Sequence, residues 1–346
     1  MKYFLLFLAV ATTCLAEDAP TPQSTPTPAP ALRESVDSLD ESQIQKAIEA
    51  LEKNYLSPEA LDTISRQRAL LEGLVTRLGA GATLDQSQGS NAKPIPFLAE
   101  ILDGRIGYIR PSALAANALE QTDAALGNFA EKSIPAVILD LRGIPAGSEF
   151  DTAADFARRF CPKGKILFTI EKPNAKQERI LTADRDSVFQ GILVVLTDAN
   201  TSGAAEALAA TLRANSNAMI VGSKTAGGAV EFSEFPIGGG KTIHLAVSRV
   251  SLPGLGPIFP DGVKPDIEIS LPAETQKKIF DLTKEKGVSQ FVFEIERPRM
   301  NEAALVANTN PEISGTADAE DQVEPLRDTV LQRAVDLVTA ISFYKK

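Results

Sequence analysis

Apolar residues recur at helical spacing near the N-terminus, in two separate groups. The first group falls on one side of a helix: Ile44, Ala47, Ile48 and Leu51. A Ser57-Pro-Glu59 start signal precedes the second group, and Gly79 is a stop signal after it. The second group shows the same spacing: Leu61, Ile64, Leu71, Leu74, Val75 and Leu78. The pattern predicts an N-terminal helical subdomain over residues 37–85.

From Ile101 the pattern changes to short apolar runs that alternate with amphipathic stretches. The runs predict strands, in order: 104–109, 136–141, 165–171, 192–197 and 219–222. The amphipathic stretches predict helices at 114–131, 151–160 and 204–214. Residues 229–252 predict a hairpin around Gly238-Gly-Gly240. This alternation is typical of a layered α/β core, which we place at residues 98–272.

The last part of the chain, residues 273–346, predicts a mainly helical extension. It begins with a charged helix over 273–287 and contains a strand-like Gln290–Ile295. An acidic loop follows, and a final helix begins at about Asp328.

The first 16 residues are typical of a secretory signal peptide. Lys2 precedes an apolar run over Tyr3–Val10, and Cys14-Leu-Ala16 offers a cleavage site after Ala16. The run is too short to cross a bilayer, and no later stretch is long enough. We therefore expect export, to a periplasm or to the medium. Lipidation at Cys14 is the alternative, although Thr13 is a poor residue before a lipidated cysteine.

Residues 17–36 alternate proline with threonine, alanine and serine, which predicts an extended linker without a core.

Composition excludes several classes of function. The net charge of −10 argues against nucleic acid or an anionic membrane as partner, because both reward a basic surface. Two cysteines and one histidine argue against a His/Cys metal site, and no cofactor is predicted. Cleavage after Ala16 leaves Cys161 without an intramolecular partner. We interpret Cys161 as a small buried apolar side chain.

Residues 192–229 carry the candidate chemistry. A strand ending at Thr197 and a helix beginning near Gly203 would aim free backbone N–H groups at one point, where an oxyanion is stabilised. The loop from Gly143 to Gly147 would supply a second amide from the neighbouring strand end. The predicted cleft residues are Gly203, Ala204, Ala146 and Gly147. Tight packing of strand on helix is the simpler explanation for the small residues taken alone.

Six motifs in this order resemble peptidase family S41, the C-terminal processing or tail-specific serine peptidases. They are Ala69–Leu78, Gly104–Ile109, Leu139–Gly147, Thr201–Glu206, Val221–Gly227 and Gly262–Ile267. The resemblance implies a ClpP/crotonase-like core, a serine nucleophile, a lysine base and peptide substrates. Many members insert a PDZ domain before the core. Only about twenty residues separate Thr83 from Gly104, too few for such a domain.

The family's functional side chains are missing from the matching positions. Glu206 aligns the nucleophile with Gly203, and Val221-Gly222 aligns the lysine with Gly228. The spacing of 25 residues between nucleophile and lysine is kept. The family's supporting glutamine falls on Phe232. Loss of one member of such a pair costs on the order of a million-fold in turnover.

Two interpretations follow from these departures, and a third remains open. The favoured one is an inactive homologue that binds a peptide or protein segment, in an oligomeric state that the sequence leaves open. The alternative is an active serine peptidase with a relocated dyad of Ser202 and Lys224, although Ser202 is also a good helix N-cap and Lys224 a good solvated loop residue. The third is another reaction on the same frame, driven by oxyanion stabilisation alone.

Other polar residues near these motifs have simpler structural explanations. His244 lies in a predicted strand, which favours a structural role over a Ser-His-Asp triad. Arg142 and Asp140 flank the Gly143–Gly147 loop and are predicted to pair with each other rather than to bind a peptide carboxylate.

Overall fold

The computed structural model describes residues 29–85, 95–147, 149–292 and 326–344. The chain divides into two compact units, Met1–Glu72 and Gly73–Lys346, so that the boundary falls within the third helix rather than after residue 85. The predicted signal peptide lies outside the described residues, as does most of the predicted linker.

The first unit is helical, as the apolar spacing predicts. Its helices are α1 (Ala29–Asp37), α2 (Glu41–Asn54) and the first part of α3 (Thr63–Leu78). Asp40 caps α2 through a capping box with Gln43. Helix α1 lies inside the segment predicted as a linker over 17–36, which is therefore helical at its end.

Helix α3 ends where the sequence predicts. Gly79 follows Leu78 with a φ of +53°, a left-handed conformation that glycine adopts without strain. No side chain of α2 or α3 is buried, although both helices carry an apolar stripe.

The second unit is built on a six-stranded sheet in the order β12-β8-β7-β4-β3-β2. Its strands are β2 (Leu98–Leu102), β3 (Ile106–Arg110), β4 (Ala136–Asp140), β7 (Ile192–Thr197), β8 (Met219–Gly222) and β12 (Ile267–Glu268). All are parallel except β2, which pairs antiparallel with β3 at the edge. The strands predicted at 104–109, 136–141, 192–197 and 219–222 are confirmed as β3, β4, β7 and β8, whereas β2 and β12 were not predicted.

Helices cover both faces of this sheet. On one face lie α4 (Ala116–Glu131), α5 (Phe150–Ala157) and α6 (Ala204–Ser216), and on the other lies α8 (Thr329–Tyr344). Alternation along β4 supplies both layers: Val137 and Leu139 face α4–α6, while Ala136 and Ile138 face α8. The α/β core with a C-terminal helical extension is therefore confirmed, and the last helix closes the core.

A second, antiparallel sheet packs beside the first in the order β1-β10-β5-β6, with β9 and β11 also paired to β10. Its strands are β1 (Ala82–Asp85), β5 (Ile166–Lys172), β6 (Gln177–Thr182), β9 (Val230–Gly238), β10 (Lys241–Leu252) and β11 (Gly256–Pro257). The hairpin predicted over 229–252 is confirmed as β9 and β10. Strand β6 escaped prediction because five of its six residues are exposed, which leaves no apolar run to detect.

The C-terminal extension begins with α7 (Ala273–Lys286), as predicted. The strand predicted at Gln290–Ile295 is wrong where the structure describes it, because Ser289–Phe291 form a 3-10 turn. The rest of that segment lies outside the described residues. Within the described part of the chain, no helix combines the length and the apolarity that crossing a bilayer requires.

A buried ionic cluster ties α8 to the end of β4. The guanidinium of Arg142 donates to both oxygens of Asp140 and of Asp328, and the Tyr108 hydroxyl donates to Asp140 at 2.7 Å. Burial alone would raise the pKa of Asp328, but the charge and hydrogen bonds of Arg142 outweigh it and lower that pKa. The predicted pairing of Arg142 with Asp140 is therefore confirmed, with Asp328 as a second carboxylate.

Candidate functional site

The turn after β7 is held by Asp198. Its carboxylate accepts hydrogen bonds from the backbone N–H groups of Asn200 and Thr201, at 3.0 and 2.7 Å. Helix α6 then begins at Ala204, and its N-cap residue is Gly203 with φ 63° and ψ −125°. The prediction that Ser202 caps this helix is wrong, because the cap lies one residue later and the Ser202 side chain makes no capping bond.

Glu206 joins this turn to the loop that follows β8. Its side chain is fully buried and accepts the backbone N–H groups of Gly203, Gly227 and Gly228, at 3.0, 2.6 and 2.6 Å. The Thr225 hydroxyl donates to the same carboxylate. Each carboxylate oxygen accepts two hydrogen bonds, so all four acceptor positions of the carboxylate are used. These four hydrogen bonds, which we call the Glu206 clamp, hold the Gly203 turn and the Gly227-Gly228 loop at a fixed distance from each other.

The backbone amides predicted to be free for an oxyanion are hydrogen-bonded within the chain. The N–H group of Ala204 donates to the carbonyl oxygen of Gly147 at 2.8 Å, and that of Gly203 donates to Glu206. Of the predicted cleft residues, Gly203, Ala204 and Gly147 are brought together, while Ala146 is exposed on the same loop. A carbonyl oxygen therefore occupies the place where the Ala204 amide would hold an oxyanion.

The positions that match the family's nucleophile and base lie face to face. An ideal Cβ atom built on Gly228 would lie 3.7 Å from the Gly203 nitrogen and 2.3 Å from the Ser202 Oγ. The Ser202 hydroxyl thus fills the space where a side chain at 228 would start.

Lys224 is exposed, as expected of a loop lysine, and no hydrogen bond or ion pair joins it to Ser202 in the part of the chain that the structure describes. The Ser202/Lys224 dyad stays a prediction.

Three further residues take structural positions. Phe232 lies on β9 and is 42% exposed. His244 lies on β10, with Nδ1 3.8 Å from a carboxylate oxygen of Glu234 on the neighbouring strand. Cys161 is a buried free thiol next to Ser216, and burial raises its pKa to about 11, which makes it a poor nucleophile.

Two features of the site were not predicted from the sequence. Glu206 served only to align the nucleophile turn, yet it is the acceptor that holds the site together. A signal was available, since a single acidic residue in the Ala204–Ala210 run is typical of a buried side chain with a specific partner. The contact of Gly147 with Ala204 had no such signal, because it joins two loops about 57 residues apart.

Gly203→Ala is expected to lower the free energy of unfolding by about 3 kcal/mol. The added Cβ would lie 2.2 Å from the Gly147 carbonyl oxygen, at a φ of +63° that alanine rarely adopts. Gly104→Ala is the matched control, because Gly104 has φ +66° and nothing within 4 Å of an added Cβ. Its expected loss is about 1 kcal/mol. Equal losses in urea unfolding would show that the Gly147 contact contributes nothing.

Comparison with known proteins agrees with this geometry. Residues 105–269 match peptidase family S41. Over this segment, which is just under half of the chain, the sequence is similar to family S41. The match begins just before β3 and ends just after β12, and so contains Gly203, Gly228 and Glu206.

The chain is similar in sequence to C-terminal processing proteases. It is 32% identical over 195 residues to the carboxyl-terminal-processing protease of Synechocystis sp., covering 52% of this chain and 45% of that protein. It is 27% identical over 211 residues to the carboxy-terminal processing protease CtpA of Bacillus subtilis, covering 61% and 45%. The chain therefore spans less than half the length of these relatives.

Two solved structures are also similar to part of the chain. The photosystem II D1 C-terminal processing protease matches with a TM-score of 0.45 and 22% identity, covering 58% of this chain and 55% of that one. A putative peptidase from Parabacteroides merdae matches with a TM-score of 0.49 and 17% identity, covering 70% and 85%.

Proposed function

We propose that this chain is a non-catalytic S41 homologue that binds a peptide or protein segment at the sheet edge carrying Gly203 and Gly228. The observation that carries the proposal is the pair of facing glycines, which stand where the family places its nucleophile and base. The frame around them is intact, because the Glu206 carboxylate holds both backbone segments together.

Catalysis through this frame alone would be weak. Backbone oxyanion donors without a nucleophile give about 10³-fold over water, which is far from a working peptidase. Here the Ala204 amide is also bonded to the Gly147 carbonyl oxygen, so the donor is engaged before any substrate binds. The missing nucleophile and the engaged amide both argue against peptidase turnover. They argue equally against another reaction driven by the oxyanion donors.

The alternative is a serine peptidase that uses Ser202 with Lys224. One observation favours it, namely that the Ser202 hydroxyl faces position 228. Against it, a lysine base must be partly desolvated, and Lys224 is exposed. We keep it as the second candidate.

A fluorophosphonate probe separates the two candidates. Incubated with the probe, the wild-type chain is expected to keep its intact mass, as is the Ser202→Ala variant. A serine hydrolase that reacts with the probe, treated in parallel, is the positive control. An adduct that forms on the wild-type chain and is absent from Ser202→Ala would overturn the proposal and establish the alternative.

Peptide binding itself needs a second measurement. Fluorescence polarisation with labelled extended peptides is expected to show saturable binding, because the family's peptide-handling frame is retained. Failure of every peptide in a broad panel to bind would contradict the binding half of the proposal. We also propose export, with cleavage after Ala16, for which the N-terminal sequence of the mature chain is the check.

A further inference from the structure

One face of helix α7 lies across the carboxyl ends of three parallel strands. Thr283 accepts a hydrogen bond from Arg110 at the end of β3, and the ring of Phe280 approaches Gly143 after β4. Gln276 donates to Asp198 after β7 at 2.7 Å. The three α7 residues follow a helical i, i+4, i+7 spacing, so they share one face. Carboxyl ends of parallel strands form the edge where α/β proteins bind ligands.

Arg110 lies under this helix, and among the described residues no carboxylate is hydrogen-bonded to it. It is fully buried, and its Nε and Nη1 atoms have no hydrogen-bond partner within the described residues. Its remaining contacts are the Thr283 hydroxyl at 2.9 Å and the Phe280 ring, whose centroid lies 4.2 Å from the guanidinium carbon. Buried donors without acceptors destabilise the state that contains them. The covered arrangement therefore leaves unmet hydrogen-bonding capacity at this edge.

The neighbouring arginine shows what Arg110 lacks. Arg142 lies under the same Phe280 ring, 5.4 Å from its centroid, but its guanidinium binds two carboxylates, Asp140 and Asp328. Both of these carboxylates accept from Arg142, and neither hydrogen-bonds Arg110 in the described part of the chain. A third carboxylate would accept hydrogen bonds from the unpartnered nitrogen atoms of Arg110 in the same way, since the guanidinium fork matches carboxylate geometry.

We propose that α7 is a displaceable cover over a carboxylate-binding site centred on Arg110. Displacement of the Phe280 and Thr283 contacts exposes the guanidinium at the sheet edge, and the carboxylate of a bound peptide replaces them. The proposal rests on the proposed function, because the ligand is carried by the peptide that binds this edge. Two sources have the same chemistry: the C-terminal carboxylate of the peptide and an acidic side chain.

Three matched fluorescein-labelled hexapeptides test the site. One has a free C-terminal carboxylate, the second has a C-terminal amide, and the third is the amide with one internal Glu. At least one carboxylate peptide is expected to bind about tenfold more tightly than the neutral amide. Whichever of the two shows the gain identifies the source of the carboxylate.

Substitution of Arg110 tests whether that arginine is responsible. Arg110→Met keeps the length and apolar contacts of the side chain, and it is expected to remove the tenfold preference, so that the three peptides bind with similar affinity. Arg110→Lys keeps the charge but loses the fork, and part of the preference should remain. Lys278→Ala, on the exposed side of α7, is the control and should bind all three peptides as wild type does.

Hydrogen exchange tests the cover. Backbone amides of residues 277–286 are expected to exchange faster in the presence of the preferred carboxylate peptide than in the presence of the amide. Equal binding of all three peptides would end this inference and leave peptide binding standing. If none of the three peptides binds, both this inference and the proposed peptide binding are contradicted. A preference that survives Arg110→Met, or unchanged exchange in α7, would overturn the assignment to Arg110 or to the cover.

Discussion

Arg142→Met is expected to lower the free energy of unfolding by about 3–5 kcal/mol. The substitution leaves Asp140 and Asp328 buried without their shared cation, at 0% and 2% side-chain exposure. Removal of one partner from a buried ionic group costs more than the group contributes intact, because the remaining charges keep their desolvation penalty. Since Asp328 precedes α8, we also expect the last helix to lose protection first in hydrogen exchange.

Arg105→Met is the matched control for this measurement. Arg105 pairs with Asp103 at the surface, where both side chains are about half exposed, and its loss is expected to change stability by less than about 0.5 kcal/mol. Urea unfolding of the two variants beside wild type gives the difference. Similar midpoints for Arg142→Met and Arg105→Met would mean that the buried cluster does not hold the C-terminal helix.

Glu206→Gln is expected to destabilise the chain by about 3 kcal/mol, although it changes one atom. Each carboxylate oxygen accepts two donors, so either orientation of the amide places an NH2 group against two other donors. The Gly203 turn and the Gly227-Gly228 loop would separate. Peptide binding at this edge should weaken with the loss of stability, since the clamp positions both sides of the site.

Glu120→Gln provides the comparison for Glu206→Gln. Glu120 is exposed on α4, and the same chemical change there should leave the unfolding midpoint within about 0.5 kcal/mol of wild type. If Glu206→Gln unfolds with the same midpoint as Glu120→Gln, the four hydrogen bonds to Glu206 do not determine the shape of the site.

The regular elements of the core were predictable because their signals are local. Runs such as Val137–Leu139 bury every residue, and this leaves a continuous apolar pattern in the sequence. Exposed or very short strands leave no such pattern, and β6 and β12 were missed for that reason. The predicted N-cap at Ser202 failed because Gly203 adopts a left-handed conformation that begins the helix one residue later.

The site was predictable only in part. The correspondence of Gly203 and Gly228 with the family's nucleophile and base came from motif spacing, and the structure places the two residues face to face. The Gly147 carbonyl bonded to Ala204 joins two loops distant in the chain. The fourfold hydrogen bonding of Glu206 depends on four separate donors. Neither of these two arrangements leaves a periodic pattern in the sequence.

Local patterns in the chain were enough to predict the α/β core, the resemblance to family S41 and the glycines at positions 203 and 228. The use of the space at these glycines became visible only in the folded chain: the Ser202 hydroxyl fills part of it, the Gly147 carbonyl engages the Ala204 amide, and α7 covers Arg110. Side-chain identity and periodicity are local properties of the chain. Hydrogen-bond partners across loops depend on the packing of distant segments, which no local pattern encodes.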